Sequence, residues 1–206
     1  MNSWSLLFQK IFGHALQLFF GILLYKLYKE VFVEYSELTL LYQYISYLYI
    51  GLPYAINFYL SSESELNRSK LLLNSTSLIL ILSFLPILIT FSVNIFLNNN
   101  IIKTCLITSS IISLNFSVYV YNIWRATDNV YKVNYSTILL FGTLLITSFL
   151  TSKFLIYLII ISLHGLIVFL LHLQSIKKLE IDLKFFRLII EKGFALLIYN
   201  ISYYLF

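Results

Sequence analysis

Long apolar segments, separated by short polar connections, recur from one end of this sequence to the other. Six of them are about 18 to 27 residues long, which is the helix length needed to cross about 30 Å of hydrocarbon. They cover, approximately, residues 11–28, 38–60, 71–97, 101–124, 133–150 and 154–173. A seventh begins near Leu188 and continues to Phe206. Transmembrane strands need only about 9–11 residues with alternating faces, so these segments predict helices.

The composition favours the same architecture. Of the 206 residues, 60% are hydrophobic and 11% are charged, whereas soluble domains contain about 25% charged residues. The sequence contains no catalytic motif, no metal-ligand spacing and no basic stripe suited to nucleic acid. We therefore predict an all-α polytopic transmembrane helix bundle with six full spans and the start of a seventh. We expect no enzymatic activity, no cofactor, no metal and no nucleic-acid partner.

The basic residues predict the orientation of the bundle. With a cytoplasmic N-terminus, ten of the 14 lysines and arginines fall on the cytoplasmic side, as the positive-inside rule requires. The last apolar run, residues 193–206, is too short to cross a bilayer by itself. We therefore expect a fragment of a longer protein. Residues 1–187 would form an N-terminal six-helix lobe, residues 188–206 would start the seventh helix, and a second lobe would be missing.

Polar residues on the fourth segment form two stripes at helical spacing. One stripe, within about 60° on a helical wheel, consists of Thr104, Thr108, Asn115, Tyr119 and Asn122. Polar groups in lipid are costly unless they face protein or water, so this stripe indicates the wall of a wet cavity. The opposite stripe, Ser110, Ser113 and Ser117, is typical of a surface that packs closely against another helix. The alternative is that both stripes make only interhelical hydrogen bonds.

Three other segments carry similar polar faces, and on the third segment this face consists of Ser83, Thr90 and Asn94. On the second segment the face consists of Gln43, Tyr47, Tyr54, Asn57 and Ser61. On the first it includes His14 and Gln17. Polar faces on several helices predict a bundle around a hydrophilic interior. We interpret eight of these side chains as candidates for binding a transported substrate: Thr108, Asn115, Asn122, Tyr47, Tyr54, Asn57, His14 and Gln17. The remaining histidines, His164 and His172, are expected to make packing hydrogen bonds or to lie near the membrane interface. The single cysteine, Cys105, is expected to be buried as a small apolar residue.

Helix-breaking residues lie inside two of the segments. Pro53 in the second segment and Pro86 in the third each remove a backbone hydrogen bond and are expected to kink their helices. We interpret both, together with Gly51, as hinge positions. Arg125 closes the fourth segment and has two possible roles. It is either a topological anchor or a contact for an anionic lipid headgroup or pyrophosphate, which arginine binds bidentately.

Three short motifs then suggest a family. GLPYAINFYL, residues 51–60, resembles the "GLPxALNYFL" of bacterial O-antigen and polysaccharide flippases, and WRA, residues 124–126, resembles that family's "xRA" after the fourth helix. IEKGF, residues 190–194, resembles the start of its seventh helix, although Lys192 replaces the usual aromatic residue and Ala195 the usual proline. The family belongs to the multidrug/oligosaccharidyl-lipid/polysaccharide exporter superfamily.

The resemblance implies a function. Members have two six-helix lobes in the bacterial inner membrane and translocate an undecaprenyl-pyrophosphate-linked oligosaccharide to the outer leaflet by alternating access. The implied partners are the lipid-linked oligosaccharide, membrane lipids and the polysaccharide polymerase machinery. Only Gly51 and Arg125 are assigned by these motifs.

Three alternatives remain. A multidrug-exporter-type antiporter would typically carry an acidic residue in the first helix, and residues 11–28 contain none. A peptidoglycan-lipid flippase would be expected to carry several arginines within its lobes, where only Arg68 and Arg125 come close. A non-transporting membrane assembly subunit would not need the polar stripes.

Overall fold

The structure is a computed structural model that describes residues 3–49, 51–62, 65–98, 100–174, 176, 179 and 181–205. Within these ranges it contains nine α helices, one 3₁₀ helix and no strand, which confirms the all-α fold for that part of the chain. The α helices are α1 (Ser3–Leu27), α2 (Lys29–Ser46), α3 (Leu52–Ser62), α4 (Glu65–Leu82), α5 (Phe84–Asn98), α6 (Ile101–Ala126), α7 (Val130–Leu150), α8 (Phe154–Leu173) and α9 (Leu183–Leu205). The 3₁₀ helix, Tyr47–Tyr49, follows α2.

Five helical stretches of the described residues are long and apolar enough to cross a membrane, which indicates a membrane protein. They are Trp4–Leu27, Asn67–Phe96, Ile101–Ala126, Val130–Leu150 and Phe154–Leu173. They match the first, third, fourth, fifth and sixth predicted segments. The second predicted segment is not among them because the chain there does not form one continuous helix.

The second segment is interrupted at Gly51. The helix starts at Lys29, earlier than predicted, and ends at Ser46, and Gly51 has a φ of 66° before α3 begins. The amides of Tyr54 and Ala55 donate to the Gly51 carbonyl at 3.0 and 3.1 Å. Pro53 is the second residue of α3, where its missing N–H needs no partner. The prediction that Pro53 kinks a continuous helix over 38–60 is therefore wrong, because Pro53 instead lies in the first turn of a new helix.

The third segment is interrupted at Ser83, three residues before Pro86. Pro86 has no N–H to donate to the carbonyl of Leu82, so one backbone hydrogen bond of the regular helix is missing there. The amide of Ser83 still donates to Ile79, and that of Ile87 to Ser83, each at 3.0 Å. The two interrupted segments also meet, because the buried Tyr49 hydroxyl donates to Ser83 Oγ at 3.1 Å.

Helices α6 and α8 form the centre of the bundle. One apolar cluster joins them to α3, α4 and α9, and a second cluster joins them to α1, α2 and α7. The serine face of α6 packs against α8, as predicted. Ser110 Oγ lies 3.0 Å from Ser162 Oγ, and Ser113 Oγ donates to the Ser162 carbonyl at 2.9 Å. Gly165 allows this approach because a Cβ there would lie only 2.5 Å from Ser113 Cβ.

Helix α9 begins at Leu183, five residues before the predicted start at Leu188. The Asp182 carboxylate accepts a hydrogen bond from the Lys184 amide at 2.9 Å. The first turn of α9 is therefore polar, and it precedes the apolar run from which the helix was predicted. The helix packs against α3, where Gly51 approaches the backbone of Gly193.

The prediction that Cys105 is buried is wrong: it is exposed, next to the exposed Ile101 and Ile102 at the start of α6.

Candidate functional site

A cavity of about 580 Å³ lies among α2, α3, α6 and α9. Its polar walls are supplied by Tyr42, Gln43, Ser46, Tyr47, Tyr54 and Asn115. Gly51, Pro53, Val118 and Leu197 complete the lining. We call this the tyrosine cavity. It brings together three of the predicted substrate candidates, Tyr47, Tyr54 and Asn115. Gly51, where the second segment is interrupted, also lines it.

The tyrosine cavity is polar without charge. Tyr47 and Tyr54 line the cavity and keep 42% and 50% of their surface exposed. Asn115 is only 4% exposed, and its Nδ2 donates to the Ile111 carbonyl at 2.9 Å, which fixes the amide against its own helix. None of the described lining residues is an aspartate, glutamate, histidine, lysine or arginine. Aromatic faces combined with amides and hydroxyls suit a neutral ligand rich in hydroxyl groups.

A second cavity, about 320 Å³, lies among α1, the end of α6 and the start of α7. It brings together two further candidates, His14 and Arg125, with Lys10. We call this the basic cavity. The structure therefore places the predicted residues in separate cavities instead of a single polar interior.

Four predicted residues line neither cavity. Thr108 is buried and its hydroxyl has no hydrogen-bond partner among the described residues. Asn122 is also buried, and its Nδ2 donates to the Val118 carbonyl at 2.9 Å. Asn57 is half-buried on α3. Gln17 is exposed on α1 and lines a shallow, mainly apolar groove with Leu18, Ile22 and other residues.

Tyr119, which the stripe on α6 placed beside a cavity, is instead completely buried in a hydrogen-bonded cluster. Its hydroxyl lies 2.7 Å from Ser75 Oγ and 2.9 Å from Thr76 Oγ1, and Thr76 Oγ1 lies 3.1 Å from His172 Nε2. The cluster connects α4, α6 and α8. The prediction of a packing role for His172 is confirmed.

His164 also makes a packing contact, since its Nε2 lies 3.0 Å from Ser136 Oγ. Sequence reasoning missed Tyr42, Lys10, Gln9 and Asn134 as cavity residues. Lys10 precedes His14 by four residues and so shares its helix face, a signal that could have identified it. The described residues contain no group of three or more histidine, cysteine or carboxylate side chains placed to hold a metal ion.

No family model, no curated protein and no solved structure matches this chain. The chemistry of the two cavities is therefore interpreted from their own side chains, charges and geometry.

Proposed function

We propose that this chain is one lobe of a bacterial flippase that moves a lipid-linked oligosaccharide across the inner membrane for surface polysaccharide or O-antigen synthesis. In this proposal the N-terminus is cytoplasmic. The interrupted α2–α3 segment is the second of six spans, and α9 begins the seventh. The resemblance of the motifs around Gly51 and Arg125 to those of the flippases supports this choice of family.

The tyrosine cavity is the observation that carries the proposal. Secondary transporters commonly place their substrate sites at interrupted membrane helices, and this cavity surrounds such an interruption at Gly51. The exposed rings of Tyr47 and Tyr54 offer flat apolar faces on which the C–H face of a sugar ring can stack. The amides of Gln43 and Asn115 supply hydrogen-bonding groups for sugar hydroxyls.

The cavity also has a wall that belongs to α9. Leu197 lines it, and α9 packs against α3 near Gly51. A movement of α9 relative to α3 would therefore change the shape of the cavity. This arrangement supports alternating access, which requires the substrate site to open towards each side of the membrane in turn.

The proposal predicts that the two exposed cavity tyrosines matter together. Each aromatic contact contributes about 0.5–1.5 kcal/mol, so Tyr47→Ala with Tyr54→Ala should reduce polysaccharide export about tenfold or more. Export is measured as surface polymer after the gene is restored to a strain from which it has been deleted, with membrane protein level determined by immunoblot.

Tyr44→Ala is the matched control, because Tyr44 is 63% exposed on α2 and does not line the cavity. Its export should stay within about twofold of wild type. Equal export from the double variant and the control would contradict the proposal. Normal surface polymer combined with increased drug susceptibility in the deletion strain would favour the antiporter alternative.

A further inference from the structure

The basic cavity places the lysine Lys10, the histidine His14 and the arginine Arg125 around one space. Lys10 and His14 lie one turn apart on α1, and Arg125 lies in the last turn of α6. The cavity volume is about 320 Å³. Lys10 and Arg125 are 115 residues apart in the sequence and meet only through the fold.

A tight turn brings Arg125 to the start of α7. The Thr127 amide donates to the Ile123 carbonyl at 3.0 Å, and the Asn129 amide donates to the Trp124 carbonyl at 2.7 Å. Asp128 between them has a φ of 57°, in the left-handed region that aspartate tolerates better than most residues. The chain thus reverses in three residues, and Val130, the first residue of α7, lines the same cavity as Arg125.

Helices α1 and α7 fix the other wall. Asn134 Nδ2 donates to the Leu6 carbonyl at 3.2 Å. Gly13 packs beside Thr137, and a Cβ on Gly13 would make van der Waals contact with Thr137 Cγ2 at 3.4 Å. Both pairs lie beside the cavity, and Gly13, Asn134 and Thr137 line it. The positions of Lys10 and His14 relative to Arg125 are therefore set by helix packing instead of by a loop.

The lysine and arginine of this cavity are not paired with a carboxylate of the described residues, and Asp128, in the turn that follows Arg125, does not line the cavity. No described lining residue carries a carboxylate, and neither Lys10 nor Arg125 forms an ion pair with a described residue. Elsewhere in the described chain, Lys103 pairs with Glu34 and Arg187 pairs with Glu191.

The start of α7 adds to this positive potential. The Asn129 side chain makes no capping hydrogen bond to α7, because its Nδ2 donates back to the Thr127 carbonyl at 2.9 Å. The first amide groups of the helix are left without a side-chain cap. The N-terminus of a helix carries a partial positive charge, so it reinforces Arg125 beside it.

We infer that the basic cavity binds a phosphate anion. Arginine can hold two phosphate oxygens at once, lysine supplies a mobile charge, and histidine offers an N–H donor. The phosphate belongs either to the headgroup of an anionic phospholipid or to a soluble phosphate compound, which share this chemistry. The site does not depend on the tyrosine cavity or on oligosaccharide transport.

The test measures phosphate binding to the purified full chain in phosphatidylcholine nanodiscs. In one arm, phosphatidylglycerol is added and its retention relative to phosphatidylcholine is read by native mass spectrometry. In the other arm, inorganic pyrophosphate is titrated by calorimetry. Wild type should bind one of the two probes. Arg125→Gln and Lys10→Gln should each weaken that binding about tenfold, the effect expected for loss of one charged hydrogen-bonding partner.

Lys26→Gln is the matched control, because Lys26 is an exposed lysine on the same helix that does not line the cavity. It should bind within about twofold of wild type. Selective retention of phosphatidylglycerol supports a lipid headgroup, and binding of pyrophosphate supports a soluble phosphate. Binding of neither probe, or equal binding by wild type, Arg125→Gln and Lys10→Gln, would overturn the inference. Size-exclusion profiles show whether each variant is folded. Because Lys10 is exposed on α1, Lys10→Gln tests the cavity without changing α6 or the turn that follows it.

Discussion

Replacing Gly51 with alanine is expected to destabilise the chain more than any other single-methyl addition. Two costs combine. Gly51 has a φ of 66°, a conformation that costs other residues about 1–2 kcal/mol. A Cβ would also overlap the carbonyl oxygen of Gly193 and lie 2.9 Å from its carbonyl carbon. Both are backbone atoms of α9, which cannot move aside as a flexible side chain could.

The expected loss is about 3 kcal/mol, or roughly 5–10 °C in the unfolding midpoint of the purified chain in detergent. Gly51→Asn separates the two costs, since asparagine tolerates a positive φ but still carries a Cβ. It should be nearly as destabilised as Gly51→Ala. If Gly51→Asn unfolds at the wild-type temperature, the close approach of α3 to α9 is contradicted.

Gly21→Ala provides a matched control. Gly21 lies within α1, and nothing lies within 4 Å of a Cβ built there. Alanine is favoured over glycine inside helices by about 1 kcal/mol, so the midpoint should stay the same or rise slightly.

The second large effect is expected at Gly165, where α8 contacts α6. A Cβ on Gly165 would overlap the Ser113 carbonyl oxygen and lie 2.5 Å from Ser113 Cβ. The two helices would have to separate, which would stretch the hydrogen bonds from Ser110 and Ser113 to α8. Gly165→Ala should therefore cost about 1–3 kcal/mol, and Gly165→Leu should prevent accumulation of folded protein.

The thermal midpoint in detergent measures the effect of Gly165→Ala, and fluorescence-detected size exclusion measures the effect of Gly165→Leu. Ser113→Gly introduced together with Gly165→Ala removes the overlap between the two Cβ atoms and should restore part of the lost stability. Gly142→Ala on α7 is the control, because no atom lies within 4 Å of its Cβ. A wild-type midpoint for Gly165→Ala would contradict the close packing of α6 and α8.

The sequence was sufficient to predict the helical class and a close-packing serine face on α6, although it did not identify α8 as the helix that packs there. Apolar length determines where a helix can cross a membrane, and small residues at Ser110 and Ser113 permit close packing. It was not sufficient to place the interruption of the second segment. Gly51 and Pro53 suggest a kink in an apolar run, but only the approach of Gly193 from a distant helix shows why Gly51 adopts a positive φ.

The candidate site was predictable only in part, for a similar reason. Helical spacing correctly placed Tyr54 and Asn115 on polar faces, and those faces meet in the tyrosine cavity. The same spacing placed Tyr119 with Asn115, yet Tyr119 is buried against Ser75 and Thr76. An angle on one helix does not specify which neighbour lies opposite it, because that depends on contacts between residues far apart in sequence.

The central claim is the movement of a lipid-linked oligosaccharide, and its transbilayer position is the most direct measurement. Cells lacking the gene are treated with an impermeant reagent that labels sugars on the outer leaflet of the inner membrane, and the labelled fraction of the lipid-linked oligosaccharide is determined. We predict that the deletion strain accumulates the lipid in an unlabelled form and that the restored gene makes it accessible. An equally labelled pool and normal surface polymer in the deletion strain would contradict the claim.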